Sequence, residues 1–106
     1  MINNFAQALT VRLNEYKERM GYTYFQRFDT VVEMGKRYAK VFAIEIAAEG
    51  RHHSSRRIVA FVDIATGDIF KPASFKAPAK HARGNVNSPT FGMEAINESG
   101  HFIYLR

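Results

Sequence analysis

Lys71, Lys76, Lys80 and Arg83 stand in a stretch, Ile69 to Met93, that holds no carboxylate at all. Folded surfaces mix their signs, so a one-sign run suits the reception of an anion. Lys76, Lys80 and Arg83 fall at spacings of four and three, which a short helix would align on one side. The N–H groups freed at the start of such a helix, near Pro78 and Ala79, would add partial positive charge. Phe75 offers a ring beside the cations, the combination that stacks and holds single-stranded nucleic acid. His81 adds a group with an ordinary pKa of ~6.5. The plainer expectation is a solvated basic surface with Phe75 in the core.

A second basic cluster is Arg51, Arg56 and Arg57, interrupted by His52-His53-Ser54-Ser55. With residues 51–55 crossing the tip of a hairpin, these arginines can straddle a phosphate backbone as β-ribbon readers do. Adjacent histidines on an extended chain point in different directions, and no third ligand has a recognisable spacing, so neither a metal nor another cofactor is expected. His81 with Asp63, Asp68 or Ser74 forms no spacing specific to catalysis. No phosphate-binding glycine loop or nucleophile elbow is present. An enzyme is the less favoured reading. Tyr22, Tyr24, Phe25 and Phe28, with Arg27, are expected to close over the core rather than to stack bases.

The elements that must position these groups follow from periodicity. Phe5, Leu9, Leu13, Tyr16 and Met20 recur at helical spacing, giving a helix over 4–20 with Asn3 or Asn4 as cap and Gly21 at its end. Alternation predicts strands over 28–34, 37–48, 56–65 and 68–73, with Gly35-Lys36 and Thr66-Gly67 as turns. Tyr38, Phe42, Ile44 and Ile46 share one face of the second strand. Phe42 and Ile44, with Ile58 or Val62, are expected beneath the helix. The opposite face, with Ala39, Val41, Ala43, Val59 and Phe61, then needs cover from the C-terminal segment or from a second copy. Short helices are expected over 79–83 and after Ser88-Pro89, and residues 101–105 are strand-like. The predicted fold is α+β: a four- to five-stranded antiparallel meander sheet packed by an N-terminal helix, with short C-terminal helices.

At 106 residues the chain suits a single domain, 1–106, with one core. Its 46% hydrophobic content puts it outside the regime of disorder. Fifteen Lys plus Arg against ten Asp plus Glu give a formal charge of +5, and the pI is about 9.7. That balance draws phosphate polymers, acidic proteins and anionic surfaces alike. The absence of cysteine excludes disulfides, thiolate zinc sites and cysteine nucleophiles. Without a leader-like N-terminus or an apolar run near the ~20 residues that span a bilayer, a cytoplasmic protein with no membrane role is expected.

The run from Phe61 to Asn85 resembles small proteins encoded by bacteriophages and related mobile elements. The shared features are a strand, the turn Thr66-Gly67-Asp68, the stretch Lys71-x-Ala73-Ser74-x-Lys76-Ala77-Pro78-Ala79-Lys80 with positions 72 and 75 open, and Arg83-Gly84-Asn85. The resemblance covers about a quarter of the chain and implies a phage or mobile-element origin, with the cytoplasm of the host cell as its location. It supplies no catalytic residues. The expected function is non-enzymatic binding of nucleic acid through Lys71, Phe75, Lys76, Lys80, His81 and Arg83, joined by Arg51, Arg56 and Arg57, in a monomer or homodimer. The alternatives are an inhibitor docking the same basic face on an acidic or nucleic-acid-processing host protein, and a small phosphate- or nucleotide-binding protein or enzyme using His81 and its lysines.

Overall fold

The computed structural model describes residues 2–23, 25–47, 52–97 and 99–102, the side chains of 52–55 excepted. Helix α1 spans Ile2–Met20, and Gly21 closes it at φ +72° with its N–H bonded to the Lys17 carbonyl at 2.9 Å. Five strands follow: β1 Arg27–Met34, β2 Tyr38–Ile46, β3 His52–Asp63, β4 Asp68–Pro72 and β5 Pro78–Asn85. They pair antiparallel in chain order, β1-β2-β3-β4-β5, and one 3-10 turn, Met93–Ala95, lies beyond them. The expected helix-on-meander architecture is therefore present.

The helix lies on the face that alternation assigned to other cover. Phe5, Leu9 and Leu13 pack with Ala39, Val41, Ala43, Ala60, Val62 and Ile69 in one buried cluster, which Val86, Met93 and Ile96 complete. Ala39 and Ala43 leave a shallow floor on either side of Val41, and large helix side chains fill it. Tyr38 and Phe42 on the reverse face would overpack against the same three residues. Phe42 and Ile44 are buried as expected, but away from the helix. Polar clasps fix α1 to β1. The Asn14 side-chain amide donates to the Phe28 carbonyl at 3.1 Å while its oxygen accepts the Phe28 N–H at 2.7 Å, and Thr10 and Thr30 share a hydroxyl contact of 2.8 Å. The buried stripe also ends differently from the prediction. Met20 is exposed, and Lys17 takes the inner position with its ammonium 5.5 Å from the Phe25 ring.

Residues 79–83 are strand, not helix. Five residues make too few helical hydrogen bonds to repay nucleation. Pairing with β4 offers a ladder at once, running from Asp68–Asn85 to Pro72–Pro78 with two bulges. Pro78 sits at the strand's first position, where its missing N–H is tolerated. The fifth strand of the sheet is thus β5. Phe102 forms only an isolated bridge with Ile96, and 103–105 lie outside the described residues. Strand β3 starts earlier than expected, so 52–55 belong to it rather than to a hairpin tip.

The C-terminal segment joins the helix side. Arg12 reaches from α1 to the carbonyls of Met93 at 2.9 Å and Ile96 at 2.6 Å. On the other face of the sheet, the ring that meets Phe42 belongs to Phe75, from the β4–β5 connection.

Candidate nucleic-acid interface

Alternation along β2 puts Tyr38, Lys40 and Phe42 on the sheet face away from the helix. Register brings Phe61 opposite Lys40 and Phe70 opposite Phe61. Tyr38 meets Phe61 and Phe70 edge-on, with centroids 6.1 Å and 5.9 Å away. Phe75 lies tilted over Phe42 at 5.4 Å and keeps half of its surface open to solvent. The tip that carries it is held by short bonds. The N–H groups of Ala73 and Ser74 bond the Ala77 carbonyl, and Ser74 Oγ accepts the N–H of Lys76 and of Ala77 at 3.2 Å each.

Two cations are threaded through these rings. Lys40 Nζ stands 5.8 Å from the Phe61 centroid and 5.4 Å from that of Phe75. The Arg56 guanidinium stacks 4.0 Å over Phe42 and lies 5.9 Å from Phe75. Ring faces attract cations, so each ring also fixes where a positive charge sits. Arg56 is held by Glu33 at 2.6 Å, and among the described residues no ion pair neutralises Lys40. At the hairpin end Arg37 covers Tyr38 at 5.1 Å and approaches Asp63 at 3.7 Å.

The residues singled out from the sequence divide between two regions. Phe75 and Arg56 meet on this face, with Lys76 exposed beside Phe75 on the same tip. Lys80 and His81 are exposed on the outer strand β5. Arg57 and Lys71 line a separate cavity with His101, and Arg83 lies 6.0 Å from the Phe102 ring. Arg51 lies outside the described residues. Because 79–83 is strand, Lys76, Lys80 and Arg83 do not form the helical row that their spacing suggested, and no helix start adds charge near Pro78. Asp63, Asp68 and Ser74 serve turns. Asp63 accepts the N–H of Ala65 at 2.9 Å, and Asp68 bonds the Asn85 amide at 3.0 Å.

Lys40, Tyr38, Phe61 and Phe70 adjoin this candidate site and were not singled out from the sequence. The signal was present: a lysine flanked by aromatics two residues away on both sides of a strand. Treating Tyr38 and Phe42 as the floor beneath the helix hid it. Of the acid groups on this face, Asp29 and Glu33 stand on β1 opposite Ile44 and Lys40, and Asp63 stands on β3 opposite Tyr38.

Residues 2–105 match a family described as "Family of unknown function (DUF7717)", and the chain belongs to that family. No curated protein and no solved structure matches it.

Proposed function

We propose that this member of the DUF7717 family is a non-enzymatic protein that binds single-stranded nucleic acid across the helix-free face of its sheet, in a phage or mobile-element setting. The observation that carries the reading is the half-exposed Phe75 ring, fixed over Phe42 with Lys40 and Arg56 at its sides. A π-face between two cations accepts any base and hands its phosphates to the charges, which is how sequence-tolerant single-strand binders work. Tyr38 and Phe70 extend the platform, and Lys76 adds charge at the tip. Lys80 and His81 contribute from β5. The formal charge of +5 favours encounter with a polyanion.

Fluorescence anisotropy with labelled thymidine and uridine oligonucleotides bearing 5′-hydroxyl ends, at two salt concentrations, tests it. Binding is expected to fall steeply with salt, with a log–log slope of about −0.7 for each phosphate neutralised. Phe75→Ala removes a stacking partner worth ~1–3 kcal/mol, at least a several-fold loss, whereas Phe75→Trp keeps binding. Lys40→Glu reduces both affinity and salt slope. An oligonucleotide that stays free at low salt, or binds equally well to Phe75→Ala and Lys40→Glu, ends this reading and turns attention to an acidic protein partner.

A further inference from the structure

Between β3, the end of β4 and the C-terminal segment lies a cavity of about 680 Å³ lined by Arg57, Val59, Lys71, Pro72, His101 and Phe102, among others. Its apolar wall is Val59, Pro72 and Phe102, and its charge is all of one sign. No aspartate or glutamate is among the described lining residues.

Arg57 is the most constrained of the cations. It is partly buried, and its guanidinium donates to the Gly100 carbonyl at 3.3 Å. Among the described residues it has no ion-pair partner. Burial pushes its pKa below the usual guanidinium value, although a guanidinium remains charged. A half-desolvated cation without an anion is unfavourable until one arrives. The chain comes this close to Arg57 because residue 100 has no side chain. At Gly100, where φ is +81°, a Cβ would stand 3.2 Å from Arg57 Nη2 and 2.6 Å from Leu13 Cδ2.

The loop after the 3-10 turn sets the chemistry of His101. Asn97 Oδ1 accepts the N–H groups of Ser99 and His101 at 3.0 Å each, and the Ser99 hydroxyl at 2.9 Å. With its hydrogen committed to Asn97, Ser99 Oγ faces His101 Nδ1 at 3.1 Å as an acceptor. In that arrangement Nδ1 is assigned the hydrogen, which leaves Nε2 as the nitrogen that gains a proton. Burial, then the Arg57 charge, hold the His101 pKa below its ordinary value. Of the other charged groups nearby, Lys71 lines the cavity from β4 and Arg83 lies over the Phe102 ring from β5. Glu45 lines a smaller pocket with Arg57 from the β2 side.

We propose that this cavity is a binding site for a phosphate monoester, with Arg57 and Lys71 on the phosphate oxygens, protonated His101 Nε2 as a third donor, and Phe102, Val59 and Pro72 against the ester's apolar body. The site is separate from the sheet face and does not depend on nucleic acid binding there. A dianion beside His101 favours the imidazolium, so binding takes up a proton and tightens as pH falls from 8 toward 6. A free mononucleotide and the 5′-phosphorylated end of a strand present the same chemistry.

NMR titration of the histidine rings, with His101 assigned through His101→Gln, reads the site directly. Inorganic phosphate and dAMP at millimolar concentration are expected to raise the His101 midpoint while leaving exposed His81 in place. A rise of about one unit means about tenfold tighter binding to the protonated form. Lys71→Ala, a change at an exposed side chain, is expected to weaken dAMP several-fold, and Phe75→Ala is expected to leave it unchanged. An oligonucleotide that shifts His101 only with its 5′-phosphate identifies a strand end as the source. A shift with dAMP and not with that oligonucleotide identifies a small molecule. A His101 midpoint indifferent to phosphate and dAMP overturns the proposal, as does a shift of equal size at His81 or one that survives Lys71→Ala undiminished.

Discussion

Phe42 and Phe75 touch each other yet carry different loads. Phe42 is fully buried, so Phe42→Ala leaves a cavity beneath Arg56 and Phe75 and is expected to cost about 3–5 kcal/mol in urea denaturation. Phe75 keeps half its surface in water, so Phe75→Ala loses a smaller burial and leaves the fold intact for binding measurements. Glu33 and Arg56 are paired at 2.6 Å with both side chains substantially exposed, a geometry that contributes ~1 kcal/mol at most. Its larger effect is to occupy a cation. Glu33→Gln is expected to leave the thermal midpoint nearly unchanged while raising oligonucleotide affinity by several-fold, because Arg56 then keeps its stacking on Phe42 without a competing carboxylate. Weaker binding by Glu33→Gln would mean that Arg56 needs Glu33 for its placement.

At the level of elements, α1 and the first four strands were legible because each carries one period over several turns or pairs. Two things were not. The choice between the two faces of β2 depends on volume rather than polarity, since Ala39, Val41 and Ala43 are as apolar as Tyr38, Phe42 and Ile44. Likewise 79–83 has no alternation of its own, and a partner strand decides its state. The reading of the candidate site inherited the first of these: Phe75 and Arg56 were singled out from their types, while Lys40 was hidden in a strand read as core. The tip carrying Phe75 depends on Ser74. Ser74→Ala should raise amide exchange at Lys76 and Ala77 and weaken oligonucleotide binding with little change in global stability. In the turn that leads into Met93–Ala95, hydrogen bonds from Thr90, and to a lesser degree Ser88, hold the Glu94 carboxyl below its ordinary pKa. A depressed carboxylate stabilises this turn above its unfolded pKa and ceases to do so as pH falls through the folded value. Thr90→Val should move the Glu94 titration toward that of a free glutamate, seen in its side-chain carbonyl shift.

For the whole molecule the two faces of the sheet are covered in different ways. One is closed by α1 and the C-terminal segment, which Arg12 ties together, and the other is roofed by a single exposed ring with cations around it. His101 links the closed side to pH. Its lowered pKa means that the folded state binds fewer protons than the unfolded chain, so stability declines as pH falls below the ordinary histidine value. Inorganic phosphate, by restoring the proton at His101, should flatten that decline between pH 7.5 and 5.5 in thermal melts. A slope unaffected by phosphate, or absent in wild type, would contradict it.

Strand order equal to chain order also has a kinetic meaning. Each of the four pairings is a hairpin between neighbours, so the sheet can assemble by successive closures of short loops, without a long crossover. Among the contacts that span nearly the entire chain is the reach of Arg12 to Met93 and Ile96, which can form only after both ends are in place. That clasp belongs on the native side of the folding barrier. Arg12→Gln should therefore accelerate unfolding while leaving the refolding rate nearly untouched, a chevron displaced on one limb only. Such a protein would assemble quickly and owe its persistence to a latch that closes last.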